Sequence, residues 1–196
     1  MRNFNPQEYL QKEEFNDTET LGDLYNILLE DDEVNQANIS DVTKFIMSNG
    51  ISVNEILKDI GTVVWEGMFY HRQEFTEKKL ILPSNIMIIG DLSFTNVNLE
   101  SVKGQNVNTI MSMAFAGCKN LKTVEFPNLE EIWTYAFSQC ENFENFTVPE
   151  STHAIYKGAF NECPNLNLKL PNILRDYCSE ATLADIERNV KSLTFY

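Results

Sequence analysis

The chain is short of basic residues. Of its 196 residues, 15 are Lys or Arg and 29 are Asp or Glu, which gives a formal charge of −14 at pH 7. Neutralising the phosphates of a nucleic acid requires an excess of Lys and Arg, so the composition argues against direct nucleic-acid binding. Because 43% of the residues are hydrophobic, the chain still has enough apolar mass to bury a core.

Signals for secretion or membrane insertion are absent from the sequence. Residues 1–14 (MRNFNPQEYLQKEE) contain no apolar core of the length that a signal peptide requires. No window approaches the roughly 18 apolar residues of a membrane span. We therefore expect a cytoplasmic protein, in the host-cell cytoplasm if a phage encodes it, whose four cysteines stay reduced.

Histidine and the motifs typical of catalytic sites are scarce. The chain has two histidines, His71 and His153, and their spacing from Ser, Asp or Cys matches no catalytic triad or zinc site. No Gly-rich phosphate loop, G-x-S-x-G elbow or H-E-x-x-H motif occurs. His71 with Glu66 or Glu74 would lie on one helical face, which alone is a weak metal signal. We expect no enzyme activity and no cofactor.

Charge and proline divide the chain into unlike parts. Residues 1–78 hold 16 acidic and 6 basic side chains (net −10) and one proline, whereas residues 79–196 hold 13 and 9 (net −4) and five prolines. This shift predicts an acidic helical domain or N-terminal cap over 1–78, repeats over 79–171 and a C-terminal cap over 172–196, in an α+β fold.

Three helices are predicted in the acidic part. The segment Thr18–Glu30 has apolar residues at helical spacing, and a second helix is predicted from Ser40 or Asp41 to Ser48, before Asn49-Gly50. A third is predicted from Asn54 to about Phe75, along a broad apolar stripe that includes Val63, Val64 and Met68.

An acidic cluster follows the first predicted helix. It consists of Glu30, Asp31, Asp32 and Glu33. Such a cluster is either a solvated surface or a mimic of a phosphate backbone that occupies the basic channel of a partner.

The second part of the chain repeats itself. The segments MAFAGCKNLKTVEFP, YAFSQCENFENFTVP and GAFNECPNLNLKLP are copies, with a fourth, degenerate copy before them. The matching residues of the three clear copies are predicted to form a stacked core: Phe115, Cys118, Leu121, Phe137, Cys140, Phe143, Phe160, Cys163 and Leu166. Units of 21–23 residues cannot bury their apolar side chains alone, so this periodicity predicts a solenoid.

Each unit is predicted to contribute one strand. The strands are Leu80–Leu82, Ser101–Lys103, Thr123–Phe126, Asn145–Val148 and Leu168–Leu170, in which alternate residues point inward. The outward positions form a polar face and a candidate partner-binding surface: Lys103, Thr123, Glu125, Asn145, Thr147 and Lys169. A plain solvated sheet face is the alternative. Trp133, Tyr135 and Tyr156, elsewhere in the units, are either core residues or aromatic anchors for a partner.

The repeat pattern resembles a known family. Ile-x4-Phe-x2-Cys-x-Asn-Leu, with a closing strand and proline, is similar to the BspA-like leucine-rich repeat of the Treponema pallidum type, over about residues 80–171. The resemblance implies that the cysteines are core residues rather than zinc or redox groups. It also implies binding rather than catalysis, because members are mostly bacterial surface, parasite or phage-associated proteins.

These observations favour a non-enzymatic protein-binding module that uses the repeat face and the acidic helices. One alternative is a phage-type acidic inhibitor that mimics nucleic acid and blocks a basic nucleic-acid-handling host enzyme, such as a CRISPR or restriction nuclease. Another is a fragment of a surface or glycan-binding adhesin. The sequence leaves all three open.

Overall fold

A computed structural model describes residues 52–71, 75 and 77–196, together with 43, 44, 47 and 48. The elements in chain order are α1 (Val53–Asp59), β1 (Val63–Val64), β2 (Lys79–Leu82), β3 (Ile88–Ile89), β4 (Ser101–Gly104), β5 (Thr109–Ile110), β6 (Thr123–Glu125), β7 (Glu131–Ile132), β8 (Asn145–Thr147), β9 (Ala154–Ile155), β10 (Cys163–Leu170), α2 (Leu174–Tyr177), α3 (Glu180–Asn189) and β11 (Val190–Phe195).

These strands form two parallel sheets around one hydrophobic core. The short-strand sheet has the order β1-β3-β5-β7-β9, and the long-strand sheet has the order β2-β4-β6-β8-β10-β11. Residues of both sheets belong to the same buried cluster. A parallel sheet needs a crossover between successive strands, and here each crossover contains the strand of the other sheet. The chain therefore coils as a repeat solenoid, as predicted.

All five predicted strands of the long-strand sheet are present. Their ends agree to within about one residue, except that β10 starts at Cys163 instead of Leu168. The predicted inward residues are buried, apart from the half-buried Val124. The short-strand sheet was not predicted as strands, although its buried isoleucines align with the repeat. A strand of two residues is too short to show alternation in the sequence.

The third predicted helix is wrong beyond Asp59. Helix α1 ends there, and Gly61 takes a left-handed conformation with φ of 78°, which glycine adopts without a steric penalty. Val64 then pairs in register with Ile89, and the ring of Phe69 stacks on that of Phe94 at 5.1 Å. The segment Val64-x4-Phe69 is thus another copy of the repeat, which the sequence analysis read as an apolar helical stripe.

The other predictions for the acidic part fall mostly outside the described residues. Residues 43, 44, 47 and 48 are helical, in agreement with the second predicted helix. The helix at Thr18–Glu30 and the acidic cluster lie outside the described residues. The division of the chain at residues 78 and 171 stays a prediction.

Stacked phenylalanines run through the core, as predicted. The rings of Phe69, Phe94, Phe115, Phe137 and Phe160 stack in that order, with centroids 5.1–5.7 Å apart and interplanar angles of 9° or less. All nine core residues predicted from the three clear copies are buried. Stacking like residues at each level lets one small unit bury side chains that it could not bury alone.

The repeat cysteines are buried structural thiols, as predicted. Cys118, Cys140 and Cys163 each donate a hydrogen bond from Sγ to the backbone oxygen of a phenylalanine in the preceding repeat, over 3.0–3.3 Å. Burial raises the pKa of Cys118 and of Cys163 to about 12 and that of Cys140 well above its ordinary value. The thiolate is the reactive form, so these cysteines are chemically inert at neutral pH.

Two helices, α2 and α3, follow the last repeat in the region where a C-terminal cap is predicted. Ser179 caps α3, its hydroxyl accepting a hydrogen bond from the backbone N–H of Thr182 at 3.1 Å. The side chains of Asp185 and Asn189 accept hydrogen bonds from the backbone N–H groups of Gly158 and Glu162, both at 3.1 Å. Inside the solenoid, backbone oxygens of the next repeat fill this role. The final strand, β11, was not predicted.

Candidate interaction surfaces

The long-strand sheet presents a polar outer face, here called the polar ladder. It consists of Lys79, Ile81, Ser101, Lys103, Thr123, Glu125, Asn145, Thr147, Asn167 and Lys169. Strand register brings all six predicted partner-binding residues together: Lys103 pairs with Glu125, Thr123 with Asn145, and Thr147 with Lys169. Ser101 and Asn167 are half-buried and the other members are exposed.

Side chains of the polar ladder satisfy one another across repeats. Lys103 Nζ lies 2.5 Å from Glu125 Oε2. Asn167 Nδ2 donates to Asn145 Oδ1 at 3.2 Å, and Ser192 Oγ donates to Asn167 Oδ1 at 3.0 Å. These contacts tie four side chains of the ladder to neighbouring strands: Lys103, Glu125, Asn145 and Asn167.

The short-strand sheet presents a different surface, here called the aromatic face. In four repeats, the residue after the buried Val or Ile is large and apolar, and in two of these four repeats so is the residue two positions further along. The aromatic face consists of Trp65, Met111, Met113, Trp133, Tyr135 and Tyr156. Met113 and Tyr156 are 40% and 41% exposed, and the other four are half-buried. Sequence reasoning named three of these residues but left open whether they were core or surface.

Trp133 is the centre of a small polar and aromatic cluster. Its ring lies 5.1 Å from that of Tyr156, and its indole Nε1 donates to Glu131 Oε2 at 2.8 Å. The other oxygen of Glu131 lies 3.6 Å from Nε2 of His153. These contacts hold the indole in one orientation and place a carboxylate beside exposed aromatic surface.

The two surfaces differ in the sign of their charge. In the windows 78–82, 100–104, 122–126, 144–148, 166–170 and 191–195 of the long-strand sheet, six Lys and three Glu give +3. In the windows 62–66, 87–91, 108–112, 130–134 and 153–157 of the short-strand sheet, four acidic residues and one Lys give −3. The polar ladder therefore has a local charge opposite to that of the chain.

Two positions in each repeat with a short strand adopt a left-handed backbone. One lies three residues after the buried Val or Ile, and the other lies seven residues after it. The first position holds Gly67, Leu92, Met113, Tyr135 and Gly158, with φ of 57–73°, and the second holds His71, Asn96, Gly117, Gln139 and Glu162, with φ of 53–69°. This pattern is not visible in the sequence, because glycine marks only three of the ten positions.

Two further features considered in the sequence are a metal site at His71 and a membrane span. His71 Nε2 lies 2.8 Å from Asn96 Nδ2, while residue 74, a candidate partner of His71 in a metal site, lies outside the described residues. Within the part of the chain that the structure describes, no three His, Cys, Asp or Glu side chains are placed to hold a metal ion. Over the same part, no helix is long and apolar enough to cross a membrane.

Known structures share this architecture. A leucine-rich cell surface protein from Faecalibacterium prausnitzii matches with a TM-score of 0.55 and 21% identity, over 62% of this chain and 32% of that chain. A leucine-rich repeat protein from Bacteroides ovatus matches with a TM-score of 0.52 and 21% identity, over 69% and 40%. The chain thus spans less than half the length of either protein, and the likeness shows the fold alone.

The family match covers more of the chain than the repeats first recognised in the sequence. A search of curated proteins finds no match. Residues 62–184, well over half of the chain, match the family described as "BspA type Leucine rich repeat region (6 copies)". The match includes the Val64–Phe69 repeat and most of the helical cap. The chain belongs to the BspA-type leucine-rich repeat family.

Proposed function

We propose that this protein is a non-enzymatic protein-binding module that contacts its partner through the polar ladder. The observation that supports the proposal most is the register of the long-strand sheet, in which Lys79, Ser101, Thr123, Asn145, Asn167 and Ser192 form one continuous row. Six strands at about 4.8 Å make a rigid platform about 24 Å wide. Solenoids use such extended surfaces to bind partners.

The composition of the ladder suits the recognition of a polar surface. Thr123, Asn145 and Thr147 are short and exposed, so a partner could approach the sheet closely. The local charge of +3 favours a partner with acidic groups, and complementary charge raises the association rate and the specificity.

Bulky charged substitutions on the ladder test this proposal. Partners would first be captured by the full chain from a lysate of the source cells. The double variant Thr123→Arg, Asn145→Arg is then compared with wild type. The control is Glu187→Arg, an exposed position of α3 on neither face, which adds the same two units of positive charge. We expect at least a tenfold loss of affinity in the double variant, with an unchanged melting temperature and no loss in the control. Full binding by the folded double variant would exclude the ladder.

A nucleic-acid mimic is the second candidate function, favoured by the net charge of −10 in residues 1–78. Its partner would be a basic nucleic-acid-handling enzyme that high salt releases, because salt screens exposed charges. Changing Glu30, Asp31, Asp32 and Glu33 to lysine should then abolish binding while the ladder variant still binds. Unchanged affinity in the charge-reversed variant would contradict this function.

A further inference from the structure

The aromatic face is unusual for an outer sheet surface. Both tryptophans of the chain, Trp65 and Trp133, lie on it, together with two tyrosines and two methionines. Trp, Tyr and Met are enriched where proteins bind partners, and residues of this size dominate binding energy when they become buried. The composition therefore indicates a contact surface for another molecule.

Backbone conformation provides an independent indication. Leu92, Met113 and Tyr135 take a left-handed conformation with φ of 57–59°, which costs a residue with a side chain roughly 1–2 kcal/mol. Gly67 and Gly158 fill the same position in other repeats, so the turn accepts glycine. Bulky apolar residues in strained conformations persist at sites where the side chain has a use, such as ligand contacts.

Charge indicates which kind of partner the aromatic face would accept. The short-strand windows carry −3; Glu130 directly precedes β7, and Glu131 is the first residue of this strand, which leads to Trp133. Glu130 is exposed, and Glu131 holds the indole of Trp133. A cation near Trp133 and Tyr156 would contact aromatic rings and carboxylates at the same time. Both kinds of group attract Arg and Lys.

We propose that the aromatic face binds a segment of a protein partner in which Arg or Lys side chains are interspersed with apolar side chains. The cations lie against the rings and beside Glu130 and Glu131, while the apolar side chains cover Met111 and Met113. This inference rests on the proposed protein-binding function but assigns a second surface, on the other sheet.

A random peptide library tests the proposed chemistry without a known partner. The full chain is immobilised and challenged with 12-residue peptides displayed on phage, first at low salt. We expect enriched peptides to combine Arg or Lys with Leu, Ile, Met or aromatic residues. A selection that enriches no peptides of this basic and apolar kind, whether it yields acidic or uncharged peptides or none, would overturn the proposal, and acidic peptides alone would point to the polar ladder.

Selected peptides are then titrated against the full chain while tryptophan emission is recorded. Because both tryptophans lie on the aromatic face, binding there should change the emission directly. We expect Tyr156→Ser to weaken binding at least tenfold, and Glu130→Gln with Glu131→Gln to weaken it at least threefold and to reduce its salt dependence. Tyr156 and Glu130 are exposed, whereas Glu131 is half-buried and bound to the indole of Trp133. Equal melting temperatures would show that the variants fold, and each variant's emission change is measured against its own peptide-free spectrum.

The ladder variant separates this inference from the proposed function. Thr123→Arg with Asn145→Arg should leave peptide affinity and the emission change as in wild type. If this variant lost the peptides while Tyr156→Ser kept them, the peptides would bind the polar ladder and the aromatic face would be excluded. Suppose that the peptides bind the aromatic face as expected but the ladder substitutions leave the affinity for the captured partner unchanged. Only the proposed use of the ladder would then be contradicted.

Discussion

The polar ladder and the aromatic face are products of the same repeat, yet their chemistry is opposite. The ladder lies on strands of three to eight residues and is mostly exposed, and the windows around its strands carry +3. The aromatic face lies one and three residues beyond strands of two residues and is largely half-buried, and the windows around those strands carry −3. One 21–25-residue unit therefore produces two surfaces with different partner preferences.

Repetition pairs charged side chains between neighbouring repeats but leaves apolar side chains exposed. Charges on neighbouring repeats neutralise each other, as in the pairs Lys103–Glu125 and Lys119–Glu141. An exposed apolar side chain, by contrast, is stabilised only when another group covers it. The ladder is therefore suited to specificity, and the aromatic face offers more binding energy per residue.

Removing a core ring should disturb both faces at once and gives the largest expected effect. Phe137 is fully buried and stacks on Phe115 and Phe160. Phe137→Ala should lower the free energy of unfolding by about 3–5 kcal/mol, the cost of a large buried cavity. Urea denaturation measures the loss.

A substitution on the aromatic face is the matched control for Phe137. Tyr156→Ala removes a ring that is 41% exposed, so its cost should be about 1 kcal/mol or less. Similar losses in the two variants would show that Tyr156 is a core residue and that the aromatic face is not a separate surface. Phe137→Leu, which keeps most of the volume, provides a folded comparison if Phe137→Ala does not fold.

High pH should weaken the core that both faces share. Above pH 9, the unfolded chain releases thiol protons that the folded chain keeps up to about pH 12, so the free energy of unfolding falls as pH rises. The loss between pH 9 and 11 is about 2 kcal/mol for each of Cys118 and Cys163. Cys140 acts in the same direction because burial also raises its pKa.

Two optical signals and one variant make this pH prediction specific. Tryptophan emission reports the aromatic face, and far-ultraviolet circular dichroism reports both sheets. In urea denaturation at pH 9 and again at pH 11, the two signals should give the same midpoint at each pH, and separate midpoints would contradict a single shared core. Cys140→Ser keeps a hydroxyl donor for the backbone oxygen of Phe115 but has no thiol to ionise, so its stability should fall less steeply with pH.

Much of the fold could be predicted from the sequence because the same residue types recur at the same positions in successive repeats of a solenoid. The Phe, Cys and Leu columns each recur at a fixed spacing, and every copy supports the others. The first repeat was missed because it lacks the cysteine and proline and lies next to a true helix. Val63, Val64 and Met68 therefore continue the helical spacing of the residues before them, although the helix ends before the left-handed Gly61.

Less of the interaction surfaces could be predicted. Alternation along strands of three or more residues placed Thr123, Glu125 and Asn145 correctly on an outer face. No alternation is visible in two-residue strands, so Trp133 and Tyr156 could not be assigned to core or surface. The left-handed positions of Met113 and Tyr135 could not be seen either, because neither residue type indicates a positive φ.

The smallest expected effect lies in the polar ladder, where the Lys103–Glu125 pair tests whether its charges serve stability or recognition. Both side chains are more than half exposed, and exposed ion pairs contribute roughly 0–1 kcal/mol. A double-mutant cycle with Lys103→Ala and Glu125→Ala should therefore give a coupling energy below about 1 kcal/mol in urea denaturation, and less at high salt. The same variants should change affinity for a ladder-bound partner more than they change stability. A coupling well above 1 kcal/mol that persists in high salt would instead make the pair a structural element of the sheet, and the ladder would lose its strongest contrast with the aromatic face.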